Sequence, residues 1–232
     1  QFVNFTNMLV NTTSKITIQS EKNEKGLPQI LLQENIRYSA LPLEKELEPF
    51  LESLSLLSTK DPESSKTILF KDSLSKSIQE SLQKIKIPVQ LKLYIALQCP
   101  HCPNVVRTVM PMAFNCKNIH LHIIDGSLFP QIAQKDGVMS APCLILDDDF
   151  RWTGSVNSHE IVSMFISRDP SKLSIETLKT ILEQGDASWI AQEMIKKGDI
   201  FDAFIKLLLH DTWSVRLGAM VIVEELVESD PD

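Results

Sequence analysis

The chain has 232 residues, with 23 Lys and Arg against 30 Asp and Glu and a formal net charge of -7. An acidic balance without a basic stripe speaks against nucleic-acid binding. No apolar run approaches the ~20 residues needed to cross a bilayer, and no N-terminal signal pattern is visible. The hydrophobic content of 43% is enough for one large domain or two small ones. Of the four cysteines, Cys99, Cys102, Cys116 and Cys143, only the first two lie close together. That is no disulfide scaffold. The expected setting is a reducing cytosol with one working dithiol.

The chain divides into residues 1–58, a linker at 59–72, a second unit at 73–170 and a helical segment at 174–232. The first unit reads as half of an internal repeat. Leu27-Pro28-Gln29-Ile30-Leu31-Leu32 falls on Ala141-Pro142-Cys143-Leu144-Ile145-Leu146 at an offset of 114 residues. Without a gap, Ile36-Arg37-Tyr38-Ser39-Ala40 then falls on Phe150-Arg151-Trp152-Thr153-Gly154, and Glu46-Leu47 falls on Glu160-Ile161. Each copy reads as Pro, strand, short turn, strand, helix, and a fixed offset signals repeated units. The first copy lacks an opening strand and the start of its first helix, so the chain is expected to be a fragment or to have lost N-terminal residues. It also has only 12 residues from Ile16 to Pro28 where the second copy has 22 from His120 to Pro142. That leaves no room for a middle helix. With no cysteine, the first copy is expected to be a scaffold half.

In the second unit, Ser73 to Lys86 has a helical period (Leu74, Ile78, Leu82, Ile85) and ends before Pro88. A strand over Leu91 to Leu97 leads into Cys99-Pro100-His101-Cys102. A helix is expected from Pro100, a residue suited to the first helical position, to Ala113. Ile119 to Ile124 is a strand closed by Asp125-Gly126. Leu128 to Lys135 is helical. Cys143 to Leu146 and Arg151 to Thr153 form a hairpin around Asp147-Asp148-Asp149. A last helix opens at Asn157, with Glu160 completing a capping box. The first thiol therefore lands at a helix start, where negative charge is stabilised and a thiol ionises more easily. The thiolate is the species that attacks a disulfide.

The order strand, helix, strand, helix, strand, strand, helix, with the CxxC at the first strand-helix junction, resembles the thioredoxin-like and glutaredoxin-like fold over roughly residues 73–168. Over roughly residues 10–168 the chain resembles the N-terminal domain of the flavoprotein subunit of alkyl hydroperoxide reductase. That domain has two thioredoxin folds in tandem, of which only the second keeps its CxxC. The residues carrying the likeness are Leu97-Gln98-Cys99-Pro100-His101-Cys102-Pro103-Asn104-Val105-Val106, Ile124-Asp125-Gly126 and Val138-Met139-Ser140-Ala141-Pro142. The resemblance implies an α/β tandem thioredoxin-like protein that exchanges disulfides with partner proteins. It makes Pro142 a cis-proline facing the dithiol, with the Ala141 backbone pairing with the substrate chain. Cys99 is then the attacking thiolate and Cys102 the resolving thiol. His101 tunes the thiolate and Pro100 stiffens the turn. The active group is the Cys99–Cys102 disulfide itself, with no cofactor and no metal. The implied partners are a disulfide-containing protein and a separate reductase. A redox-sensitive adaptor that binds without turnover is the alternative. Thioredoxins proper carry a Trp before the first Cys and a buried carboxylate on the preceding strand. Gln98 and approximately Leu93 stand there, which leaves the proton acceptor of the resolving thiol unassigned. Lys92 on that strand either favours a thiolate or, as expected of a strand-start lysine, runs out to water.

Other readings of the same residues are blander. A structural zinc site needs four ligands, and no second CxxC exists. Haem attachment needs His after the second Cys, where Pro103 stands. Cys143 is read as a small buried hydrophobe rather than a third redox thiol, and Cys116 as inert. His120 and His122 share a strand face and are read as packing or solvent residues. Tyr38 and Trp152 occupy equivalent repeat positions and are read as core. No glycine-rich phosphate loop is present, so a bound flavin or nicotinamide is not expected. From Ser174 the pattern changes to short helices, Ile175–Glu183, Trp189–Lys197, Ile200–Leu209 and Trp213–Val227. Asp211-Thr212-Trp213-Ser214-Val215-Arg216-Leu217-Gly218-Ala219 resembles the second helix of a HEAT repeat. The resemblance implies either a binding surface for a protein partner or a plain helical cap.

Overall fold

The computed structural model describes residues 1–21, 26–58 and 74–229. The expected linker at 59–72 lies outside these. Helix α1 (Phe2–Thr12) precedes a hairpin of β1 (Ile30–Gln33) and β2 (Ile36–Ser39). A 3-10 turn, Glu44–Glu46, runs straight into α2 (Leu47–Ser58). The second unit follows as α3 (Lys76–Leu82), β3 (Val89–Ile95), α4 (Cys102–Asn115), β4 (Ile119–Asp125), α5 (Pro130–Lys135), β5 (Cys143–Leu146), β6 (Phe150–Thr153) and α6 (Ser158–Ile166). After a 3-10 turn at Pro170–Lys172 come α7 (Ile175–Glu183), α8 (Ala187–Lys197), α9 (Asp202–Leu208) and α10 (Trp213–Ser229).

The strands form one six-stranded sheet in the order β1-β2-β4-β3-β5-β6. Central β3 runs parallel to β4 and antiparallel to β5, while β2 joins β4 in parallel. The period-two alternation decides which side chains meet which layer. Val89, Leu91, Leu93 and Ile95 of β3, with Ile119, Leu121 and Ile123 of β4, enter the main core shared with α4 and α6. Gln90, Lys92 and Tyr94, with His120, His122 and Ile124, project from the opposite face. The first hairpin is fixed to this sheet by buried Asn35. Its Nδ2 donates to the Ala113 and Ile119 carbonyls at 2.9 and 2.8 Å, and its own carbonyl accepts from the Leu121 amide at 2.8 Å. Phe5 of α1 and Phe50 of α2 stack edge-on with centroids 5.7 Å apart, and Phe50 meets Tyr38 at 5.3 Å. The two units therefore share one core.

The repeat offset recurs in the elements: β1 and β2 carried forward 114 residues land on β5 and β6, and the Glu44–Glu46 turn lands on the start of α6. Four details correct the sequence reading. Helix α4 begins at Cys102, so Pro100 lies outside it, and the proline of the first turn is Pro103. The helix expected over Ser73 to Lys86 shortens to α3, capped by the Ser75 hydroxyl, which accepts from the Ile78 amide. Asn157 does cap α6 by accepting from His159 and Glu160. Glu160, however, does not complete a capping box; its Oε1 accepts from Trp152 Nε1 at 2.9 Å. Trp152 is accordingly only half-buried, whereas Tyr38 is fully buried.

Helices α7–α10 have a core of their own, built on Leu178, Ile181, Ile190, Met194, Phe204, Leu207, Val215 and Ile222. This helical region is latched to the sheet through Asp147, a buried residue with φ of 49° in the turn after β5. Its Oδ2 accepts from Arg168 Nη1 and its Oδ1 from the Thr177 hydroxyl, both at 2.5 Å. Arg168 directs its other donors to the carbonyls of Phe165, Ile87 and Pro88. A second tie joins Gln90 Nε2 to Thr180 Oγ1 at 3.0 Å. No helix among the described residues is long and apolar enough to cross a membrane.

Candidate functional site

Strand β3 ends at Ile95, and the Cys99 amide closes a turn onto the Ala96 carbonyl at 2.9 Å. The chain then enters α4. Cys99 is half-exposed, and Cys102, the first residue of the helix, is fully buried. The backbone amide of Cys102 donates to Cys99 Sγ at 3.2 Å. An unpaired first-turn amide thus aims at the sulfur, where the positive end of the helix also lies. From the other side Cys99 Sγ donates to the Ala141 carbonyl at 3.5 Å. The Ala141–Pro142 peptide is cis, and that carbonyl lies over the dithiol. Pro100 and His101 are exposed, and His101 sits at the N-cap position without a side-chain cap bond. The structure therefore brings Cys99, Cys102, Ala141 and Pro142 together, with Pro100 and His101 at the rim.

The two thiols differ in burial. Burial, then the hydrogen bond with Cys99, then the charges of Cys99 and Glu46 push the Cys102 thiol far above the ordinary thiol range. Cys102 is held as the protonated partner, and the reachable sulfur is Cys99.

Glu46 is a buried carboxylate within electrostatic reach of the dithiol that the sequence reading does not single out. It is fully buried and comes from the first unit, yet its charge bears on Cys102. Burial raises its carboxyl from 4.5 to about 7, against the opposing pull of the Tyr38 hydrogen bond and the Arg107 charge. Tyr38 Oη reaches Glu46 Oε2 at 3.5 Å, while Oε1 has no hydrogen-bond partner among the described residues. Arg107 of α4 clasps Glu48 and Glu52 of α2, which presses the helix that begins at Cys102 against the element that carries Glu46. The signal for it in the sequence is the repeat register, which sets Glu46 over Glu160. Leu93, at the place where a thioredoxin proper has its carboxylate, points into the core.

Lys92 lies on the face of the sheet away from α4. It pairs with Asp136 at 2.9 Å and Asp148 at 2.7 Å, and Tyr94 Oη donates to the same Asp136 oxygen at 2.7 Å. Burial opposes the charge on both Lys92 and Asp136, but hydrogen bonds to Asp148 and Asp136 raise the lysine, and those from Tyr94 and Lys92 lower the aspartate. A role for Lys92 at the thiolate is thereby overturned. Of the remaining candidates, Cys116 and Cys143 are buried, with burial raising both thiols. His122 Nε2 lies 2.8 Å from Ser39 Oγ, and burial with the charges of Arg37 and Lys92 lowers it to about 4. No cluster of three metal-ligating side chains occurs among the described residues.

A mixed sheet with a parallel β3-β4 pair and an antiparallel β5-β6 hairpin, a dithiol at the start of α4 and a cis-proline beside it is the thioredoxin-like fold. Residues 89–167 match the Thioredoxin domain family. The chain is 25% identical over 186 residues to an alkyl hydroperoxide reductase subunit of Pseudomonas aeruginosa, covering 76% of this chain and 34% of the relative. It is 21% identical over 219 residues to NADH dehydrogenase of Bacillus subtilis, covering 89% of this chain and 41% of the relative. The chain thus spans well under half the length of these curated relatives. Among solved structures, a protein disulfide oxidoreductase from Aeropyrum pernix shares the fold with a TM-score of 0.50 and 22% identity, over 60% of this chain and 58% of that one.

Proposed function

We propose that the protein is a dithiol-disulfide oxidoreductase whose working pair is Cys99 and Cys102. The observation that carries this reading is the half-exposed Cys99 sulfur, which receives the Cys102 amide at 3.2 Å beside the cis Ala141–Pro142 peptide. The Cys99 thiolate attacks one sulfur of a partner protein's disulfide. A mixed disulfide forms, and the other partner sulfur leaves as a thiolate that takes up a proton. The Cys102 thiol then gives its proton to the Glu46 carboxylate and attacks Cys99 Sγ. The S–S bond moves to Cys99–Cys102, and the second partner sulfur leaves as a thiolate that takes the proton back from Glu46. The partner gains two electrons and two protons, and this chain is left oxidised. A separate reductase restores the dithiol; with a more oxidising partner the sequence runs in reverse. A Glu46 carboxyl near 7 is matched to accepting a proton at neutral pH. Ala141 supplies backbone to the partner's chain, and no bound cofactor enters the cycle.

Reduction of insulin disulfides in the presence of dithiothreitol tests the reading. The wild type should turn over, Cys99→Ser should not, and Cys102→Ser should accumulate a mixed disulfide. Absence of turnover with redox-dependent binding of a partner would replace it by the adaptor reading.

A further inference from the structure

Resting on the oxidoreductase reading, we infer that Met139 is a rigidly presented apolar anchor that selects disulfides flanked by apolar residues. The residue is 95% exposed. A lone exposed apolar residue carries no meaning by itself; the meaning here comes from where it is and how firmly its loop is held. Cys99 Sγ touches the Ala141 carbonyl. Met139 is two trans peptide steps from Ala141, so its Cα lies at most about 7.6 Å from that of Ala141.

The loop that bears it is pinned on both sides. Gly137 takes φ of 66° and donates to the Gln134 carbonyl at 3.0 Å, and the Val138 amide donates to the Ala133 carbonyl at 2.8 Å. Arg151 reaches across from β6 and donates to the Gly137 and Asp136 carbonyls at 3.0 and 3.1 Å. The Asp136 carboxylate is itself gripped by Lys92 and Tyr94, and the Val138 side chain packs into the cluster under α5. At the far end the Pro142 carbonyl accepts from the Gly154 amide at 3.0 Å. Between two fixed flanks the one large side chain is turned out to solvent.

The surroundings fit an apolar partner. From Gln98 to His101 and from Gly137 to Pro142 no residue carries a formal charge with histidine neutral, although the chain as a whole is at -7. A thioether on a flexible stem adapts to varied apolar surfaces, which suits a docking point for more than one protein. The expected occupant is an extended segment with a Leu-, Val- or Phe-like side chain within a residue or two of its half-cystine.

The test uses two disulfide-linked peptide dimers, identical except that the single cysteine is flanked by Leu in one and by Ser in the other. The wild type should favour the Leu-flanked dimer in kcat/KM by about tenfold, the scale of one apolar contact. Met139→Glu should abolish that preference, and Met139→Leu should retain it. Equal turnover of both dimers by the wild type, or an undiminished preference in Met139→Glu, overturns the anchor while leaving the oxidoreductase reading in place. Turnover of neither dimer sinks the oxidoreductase reading and the anchor with it.

Discussion

Glu46→Gln separates a buried proton-binding site from an ordinary core carboxylate. In the folded protein the Glu46 carboxyl is raised from 4.5 to about 7, chiefly by burial. The folded state therefore holds this proton more tightly than the unfolded chain does. Below the unfolded value both states are protonated and the group costs nothing. As pH rises between the two values the unfolded chain ionises first and stability falls, and the loss is complete above 7. A displacement of this size amounts to about 3 kcal/mol, of which about 2–3 kcal/mol falls between pH 5 and pH 8.5. Glutamine has the same shape and no proton to lose. Urea unfolding of both proteins at the two pH values isolates the term, because every other titrating group cancels in the difference. Glu46→Gln should gain on the wild type by about 2–3 kcal/mol on going from pH 5 to pH 8.5. A difference that stays flat across that range would show that Glu46 is ionised throughout and that the buried proton site does not exist. The same variant should accumulate the mixed disulfide at pH 7 in single-turnover mass spectrometry, and alkaline pH should relieve the block.

Opposite behaviour is expected of His122, which is lowered to about 4 by burial and by Arg37 and Lys92. Its stabilisation is full above 6.5 and is lost as pH falls toward 4, so His122→Gln should flatten the acid limb of the stability profile by about 3 kcal/mol; an unchanged acid limb refutes this. Asp147→Ala leaves the Arg168 guanidinium buried without its carboxylate and should cost about 3–5 kcal/mol in urea unfolding, whereas a loss below about 1 kcal/mol would mean that water replaces the carboxylate. Asn35→Ala strands the carbonyls of Ala113 and Ile119; a cost of about 1–3 kcal/mol is expected, with faster hydrogen exchange at Leu121 as the local signature.

Much of this fold is legible in the chain. The alternation in β3 and β4 and the Ser and Asn caps of α3, α6 and α7 are local signals, and local signals place elements to within a few residues. The expected Ile175–Glu183 helix and the Cys143–Leu146 strand have the bounds found for α7 and β5. What failed were choices between two partners. Glu160 had both its own helix N-terminus and the Trp152 indole within reach, and only the packing of β6 on α6 decides for the indole. Lys92 alternates with core residues on β3, and the side of the sheet it takes follows from the register with β5. The latch at Asp147 is invisible as well. Asp147-Asp148-Asp149 reads only as an acidic hairpin turn, yet its first carboxylate is buried against Arg168 and Thr177, 21 and 30 residues further on. Side chains that act across sequence distance leave no periodicity behind them.

The dependence of the site on the first unit follows from the same point. That unit has no cysteine, and a scaffold role is the natural expectation for it. It also supplies a carboxylate whose charge bears on Cys102, and it holds that carboxylate with its own Tyr38. The place where a single thioredoxin-like unit would carry its acid, on β3, is filled here by Leu93, fully buried in the core. In the proposed cycle the proton acceptor comes from the neighbouring unit rather than from the strand, which would tie that cycle to the packing of α2 on α4. The Arg107 clasp on Glu48 and Glu52 is the visible hold on that packing. Loosening the clasp would admit water around Glu46, return its carboxyl toward 4.5 and weaken it as a base. On the proposed cycle, the unit without thiols would then set how readily the second thiol can act.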